Sequence, residues 1–151
     1  MENVQLDLPI TQNGGLRPLT VSDPTTCEGR CARQSRAVGQ YAVVTLKLTP
    51  ATKEDAVSLV ASCDPVDQSG SVYKEDGIEY FRKGIARGIA DVLAHYRSLG
   101  FGIAGLRVAV SRMVVHPVDS TEGAFRVAAR NAFSSGLLSA GLTCELEQPA
   151  A

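Results

Sequence analysis

Tyr41 to Leu48 alternates strictly, with Ala42, Val44, Leu46 and Leu48 on one side and Tyr41, Val43, Thr45 and Lys47 on the other. A period of two is the mark of a half-buried strand, and Pro50 stops it. Val57, Leu59, Ala61 and Cys63 keep the same step and predict a second strand. A third is predicted over Leu106 to Val115, where Leu106, Val108 and Val110 oppose Arg107, Ala109 and Ser111. The period changes between them. Ile78, Phe81, Ile85, Ile89, Val92, Leu93 and Tyr96 recur at steps of three and four, which predicts a helix with one apolar stripe. Gly84 and Gly88 lie inside it, at a cost of about 1 kcal/mol each against Ala, so close packing is their expected use. Gly100 is placed to end the helix. A second helix carries Phe125, Ala128, Ala129, Ala132, Phe133 and Gly136 on its buried face. Before it, Asp119-Ser120-Thr121-Glu122 reads as a capping box, with Asp119 as cap and Glu122 reaching back. Leu142 to Leu146 predicts a short closing strand.

The first 29 residues are less patterned. Val4, Leu6 and Leu8 alternate up to Pro9 and predict a short edge strand. Gly14-Gly15, Pro18 and Asp23-Pro24 mark turns and loop. Arg30 to Tyr41 reads as a polar loop containing Gly39. Strands cluster early and alternate with helices late. The expected class is therefore α+β, with two helices packed on one face of a mixed sheet.

Composition adds bounds. The chain has 151 residues, 44% of them apolar and 21% charged, an ordinary globular composition for a single domain that folds without staples. Met1 to Pro9 shows neither a basic start nor an apolar core, so no secretory leader is expected. No apolar run approaches the ~18 residues of a membrane span. The four cysteines, Cys27, Cys31, Cys63 and Cys144, are read as reduced thiols of a cytoplasmic protein. Only Cys27 and Cys31 are close in sequence, whereas structural zinc usually shows two tight ligand pairs, so no metal is expected.

Charge is unevenly distributed. Arg30, Arg33, Arg36 and Lys47 stand against Glu28 in residues 27–50, a balance of +3. Residues 51–79 balance at -5 and residues 80–130 at +5. Eleven of the fifteen bases are Arg, which suits bidentate contact with phosphate. One basic end presented to RNA is compatible with this asymmetry.

Few motifs suggest catalysis. Gly100-Phe101-Gly102-Ile103-Ala104-Gly105 matches G-x-G-x-x-G, but a predicted helix precedes it and a predicted strand follows. Dinucleotide binding requires the reverse order, because the helix N-terminus holds the pyrophosphate. No G-x-x-x-x-G-K-[ST] phosphate loop occurs, so no GTPase activity is expected. His95 sits late in the first helix, and His116 lies in a polar loop beside Pro117. Acid and base residues do not cluster, which argues against a small-molecule kinase of similar fold. No enzyme activity and no cofactor are expected.

Three blocks carry a resemblance. Cys27 to Leu48 contains E-G-R, then Q-S-R-A-V-G-Q-Y, then a hydrophobic strand. Tyr80 to Leu93 contains Lys83-Gly84-Ile85. His116 to Phe125 reads H-P-V-D-S-T-E-G-A-F. In this order they resemble domain IV of bacterial elongation factor G. The resemblance runs over residues 27–151, leaving residues 1–26 as an N-terminal extension. It implies a ribosomal-protein-like βαβ fold and two tip loops that reach the decoding centre of the small ribosomal subunit. The first tip loop would comprise Arg33, Gln34, Ser35, Arg36, Gly39 and Gln40. The second would centre on His116, with Asp119 and Ser120 capping the helix behind it. Where the family carries Gly-Gly, this sequence has Arg36-Ala37, a bulkier tip.

The expected function is a non-catalytic module in translation that binds the small ribosomal subunit or other structured RNA. Other translation-factor domains are further expected partners, and no membrane is involved. The alternative is a protein-interaction or structural module that keeps the fold without decoding-centre contact. The altered tip and the acidic stretch at 51–79 favour that alternative.

Overall fold

The computed structural model describes residues 2–6, 16–34, 39–51, 57–61 and 63–144. Strands β1 (Glu2–Leu6), β2 (Arg17–Val21), β3 (Thr25–Gln34), β4 (Gly39–Pro50) and β5 (Val57–Ala61) come first. Helix α1 (Ile78–Ser98), β6 (Phe101–Ile103), β7 (Leu106–Val115), α2 (Glu122–Ser139) and β8 (Leu142–Cys144) follow. The main sheet has the order β1-β5-β7-β4-β3, and a smaller one has the order β6-β2-β8. In the main sheet β5 and β7 run parallel while the other pairs are antiparallel. A parallel pair needs a crossover, and α1 supplies it.

The row read from alternation is the core row. Ala42, Val44, Leu46 and Leu48 of β4 are buried, as are Val57, Leu59 and Ala61 of β5 and Leu106, Val108 and Val110 of β7. Phe125 and Phe133 of α2 are fully buried with them, and Phe81 of α1 stacks on Phe125 with ring centroids 4.9 Å apart. The fold is α+β with a mixed sheet, as its periodicity predicts.

Glycines set how closely the helices lie. A Cβ on Gly84 would come within 2.3 Å of the Glu122 carbonyl, and one on Gly88 within 2.3 Å of the Arg126 carbonyl. Both positions therefore serve the helix contact, as their place inside the stripe suggests. α2 presses as hard on the sheet: a Cβ on Gly29 would lie 1.8 Å from the Ala128 carbonyl. Ion pairs lace the two helices on their outer side. Arg126 binds Asp91 through two hydrogen bonds of 2.6 and 2.7 Å, and Arg87 pairs with Glu122. The Arg126 hydrogen bonds hold the Asp91 carboxyl below its ordinary range. Gly100 has φ 93°, and its N–H reaches the Arg97 carbonyl at 2.9 Å, which ends α1 where expected.

Three expectations change. The stretch up to residue 29 holds β2 and the first half of β3, although it reads as turns and loop. Arg30 to Gln34 continues β3, and Gly39 to Tyr41 already belongs to β4, so the polar loop is the end of a hairpin. For both parts of β3 the reason is the same. The helix-facing positions of β3 are Cys27, Gly29 and Cys31, kept small by α2, so the strand shows no apolar alternation. The third change concerns the start of α2. Its cap is Thr121, whose Oγ1 accepts from the Ala124 N–H at 3.0 Å. Asp119 is not the cap, because the helix begins at Glu122.

Boundaries elsewhere shift little. The first edge strand spans Glu2–Leu6 and pairs with β5 at the sheet edge. The predicted ends at Leu8 and Leu146 lie outside the described residues. The G-x-G-x-x-G segment runs from the end of α1 through β6 to the turn before β7, with no helix starting behind it.

Candidate nucleic-acid interface

Two connections meet at one end of the main sheet. The last β4–β7 pair is Ala42↔Val115, so Gly39 to Tyr41 project past the end of β7. There the turn from β7 to α2 folds against them. The Tyr41 N–H donates to the Asp119 carbonyl at 3.0 Å. Ser120 Oγ donates to the Tyr41 carbonyl at 2.7 Å and accepts from the His116 N–H at 2.8 Å. One hydroxyl thus ties the end of the hairpin to the start of the turn. The Ser120 N–H returns to the His116 carbonyl at 3.1 Å and closes the loop on itself.

His116 is held by its own turn. Nδ1 accepts from the backbone N–H of Val118 at 3.2 Å and of Asp119 at 3.1 Å. A nitrogen that accepts cannot carry the proton, so the neutral ring is protonated at Nε2. That N–H is the donor left to the ring. The Tyr41 ring lies beside it, with centroids 6.1 Å apart and planes tilted by 55°. Val118, next in the turn, is 80% exposed, an apolar side chain presented to solvent beside an imidazole.

The sequence-predicted residues divide by role. Gly39 lies against the Asp119 carboxylate: a Cβ there would meet its Cγ and both oxygens at 2.7 Å. Gln40 Oε1 accepts from the Cys31 thiol at 3.8 Å. Both residues of the first loop therefore make internal contacts at its base. Arg33 and Gln34 pair by register with Gln40 and Gly39, which places them at the same end of the hairpin. Ser35 and Arg36 lie outside the described residues. Asp119 and Ser120 latch the two loops together in place of capping α2, and Glu122 is the first residue of α2, paired with Arg87. Tyr41, Val118 and Thr121 are the residues that sequence reasoning missed. The signal for Thr121 was present, since counting the buried face of α2 back from Ala124 and Phe125 starts the helix after 121.

Cys31 lies at the base of this end through Gln40, whereas Cys27 pairs by register with Leu46, farther along the hairpin. Burial pushes the Cys27 thiol up to about 11. Burial also raises Cys63. Among the described residues no group of three or more His, Cys, Asp and Glu side chains comes together in a way that could hold a metal ion. No helix among them is long and apolar enough to cross a membrane.

Comparison with known proteins bears on the family and the fold. Residues 19–141 match the family model described as elongation factor G, domain IV. The chain is 29% identical over 120 residues to elongation factor G of Thermotoga petrophila, and equally to that of Thermotoga sp. strain RQ2. Each match covers 78% of this chain and 16% of the relative, so the chain corresponds to a small part of those proteins. A crystal structure of a Thermus thermophilus protein superposes with a TM-score of 0.64 at 23% identity. It covers 85% of this chain and 18% of the other, and it shows a shared fold. With the match running from β2 to the end of α2 on a fold of that shape, the chain belongs to the elongation factor G domain IV family.

Proposed function

We propose that this translation-factor module binds the small ribosomal subunit, or RNA of similar structure, through the end of the sheet where the two loops meet, and catalyses no reaction. The observation that carries the reading is the latch. Ser120 fixes the β3–β4 hairpin and the β7–α2 turn into one surface, and such fixed donors lose little freedom when they meet a ligand. His116 supplies the Nε2 donor, with Tyr41 and Val118 beside it. Single-stranded or splayed RNA is recognised through this kind of stacking and edge contact. In the sequence Arg33 and Arg36 stand close by along the chain, a residue type suited to phosphate. A cytoplasmic setting follows from this partner.

Co-sedimentation with purified small ribosomal subunits at two salt concentrations tests it. Binding that weakens with salt, and that falls several-fold in His116→Ala and in Arg36→Ala, is expected. Absence of binding by a folded chain at micromolar concentration would sink the reading.

A further inference from the structure

The main sheet has a second face, turned away from α1 and α2. On β4 the residues of that face are Tyr41, Val43, Thr45, Lys47 and Thr49, opposite in parity to the core row, and Val43 alone among them is buried. Register carries the face sideways. Arg30 pairs with Val43, Glu28 with Thr45, Thr45 with Arg112, and Lys47 with Ala109. Arg30, Lys47 and Arg112 therefore share this face across three adjacent strands, and all three side chains are exposed.

Charge over the helices is paired in part, with exposed Lys83 and Arg97 of α1 without an ion pair among the described residues. Over the helices, Arg87, Arg126 and Arg130 each have a carboxylate within ion-pair reach. Arg30, Lys47 and Arg112 have no ion pair among the described residues, and Glu28 is the one acid that the registered strands bring among them. Arg107, farther along β7, has an interaction of its own. Three bases against one acid among the described residues, held on a stiff sheet, form a field that attracts a polyanion. The patch is also continuous with the tip. Tyr41 belongs to the same face and its ring adjoins His116. From Tyr41 to Lys47 the strand extends about 20 Å.

We infer that the open sheet face is a second contact for RNA: Arg30, Arg112 and Lys47 bind the phosphate backbone of a strand whose other part lies at the tip. The inference rests on the RNA-binding reading above and extends it from recognition at the tip to sequence-independent backbone contact along the sheet. Thr26, Thr45 and Ser111 lie on or beside the same track, and hydroxyls of this kind commonly bind phosphate oxygens.

The experiment measures binding of the full chain to small ribosomal subunits across a salt series. It uses wild type, the triple variant Arg30→Gln/Lys47→Gln/Arg112→Gln, and His116→Ala, with melting temperatures to confirm folding. Each lost phosphate contact removes roughly 0.7–0.9 from the slope of log affinity against log salt. The triple variant is expected to lower that slope by about two and to bind more than tenfold more weakly at low salt. His116→Ala is expected to weaken binding with the slope unchanged. Lys47→Arg, which keeps the charge, should bind as wild type. An unchanged slope in the triple variant, with His116→Ala still defective, overturns the sheet contact and leaves the tip reading intact. A flattened slope in the triple variant with His116→Ala normal supports the sheet contact and removes the tip. Absence of wild-type binding overturns both.

Discussion

Thr121 illustrates how one residue sets a boundary. Three side chains in Asp119-Ser120-Thr121 are competent caps, yet each does a different job. Thr121 Oγ1 takes the Ala124 N–H at 3.0 Å. Ser120 Oγ is already committed to His116 and Tyr41. The Asp119 carboxylate fills the space that a glycine leaves at position 39. Replacing Thr121 with Ala should therefore cost about 1 kcal/mol of stability. Asp119→Ala, in contrast, should leave the start of α2 intact and loosen the hairpin. Urea denaturation reads the first effect. Amide exchange at Ala124, protected in Asp119→Ala and exposed in Thr121→Ala, separates the two. The choice among the three was not legible in the local sequence, because all have the right chemistry. It becomes legible only when the helix start is counted from its buried face.

At the scale of elements, the helix pair depends on what is missing from α1. Gly84 and Gly88 lower the intrinsic stability of α1, and the contact they permit compensates. In Gly84→Ala, the new methyl would meet the Glu122 carbonyl at 2.3 Å. That atom is backbone at the first turn of α2, so the helices must separate. Ala would gain about 1 kcal/mol of helix propensity, whereas overpacking costs typically about 1–3 kcal/mol. A net loss of stability is expected, and thermal unfolding measures it. A gain would mean that the helix pair relaxes freely. These two glycines were legible in the sequence, because they interrupt an otherwise strong helical stripe and so require a reason. β3 was not legible. Its inward residues are Cys27, Gly29 and Cys31, and sequence alternation detects bulk, which the close approach of α2 forbids there. β2 escaped for a different reason: only Leu19 and Val21 are buried in it, between Pro18 and Asp23-Pro24.

For the whole molecule, the fold separates a rigid body from a latched end. The body is the sheet with its two helices, held by a core that contains no buried polar or charged residue among those described. The end is held by polar contacts. Both loops are joined through Tyr41, His116, Asp119 and Ser120, and the hydroxyl of Ser120 makes two of those bonds. The bulk of the body was readable from periodicity, because a large apolar core leaves a trace at every second or fourth residue. The latch was not, because the Ser120–Tyr41 bond that joins the loops spans 79 residues of chain and its acceptor is a backbone carbonyl. Ser120→Ala tests this division. It leaves the His116 N–H and the Tyr41 carbonyl without their partner, at a cost of about 1–3 kcal/mol if water does not replace it. The loss should fall on the end of the sheet. Amide exchange should quicken at His116 and Tyr41, while the amides of Val44, Leu46 and Val108, deep in the sheet, exchange as before. Binding to the small ribosomal subunit should weaken as exchange at the latch quickens. Uniformly faster exchange across the sheet would mean that the end and the body unfold as one unit, and that the latch is simply part of the core.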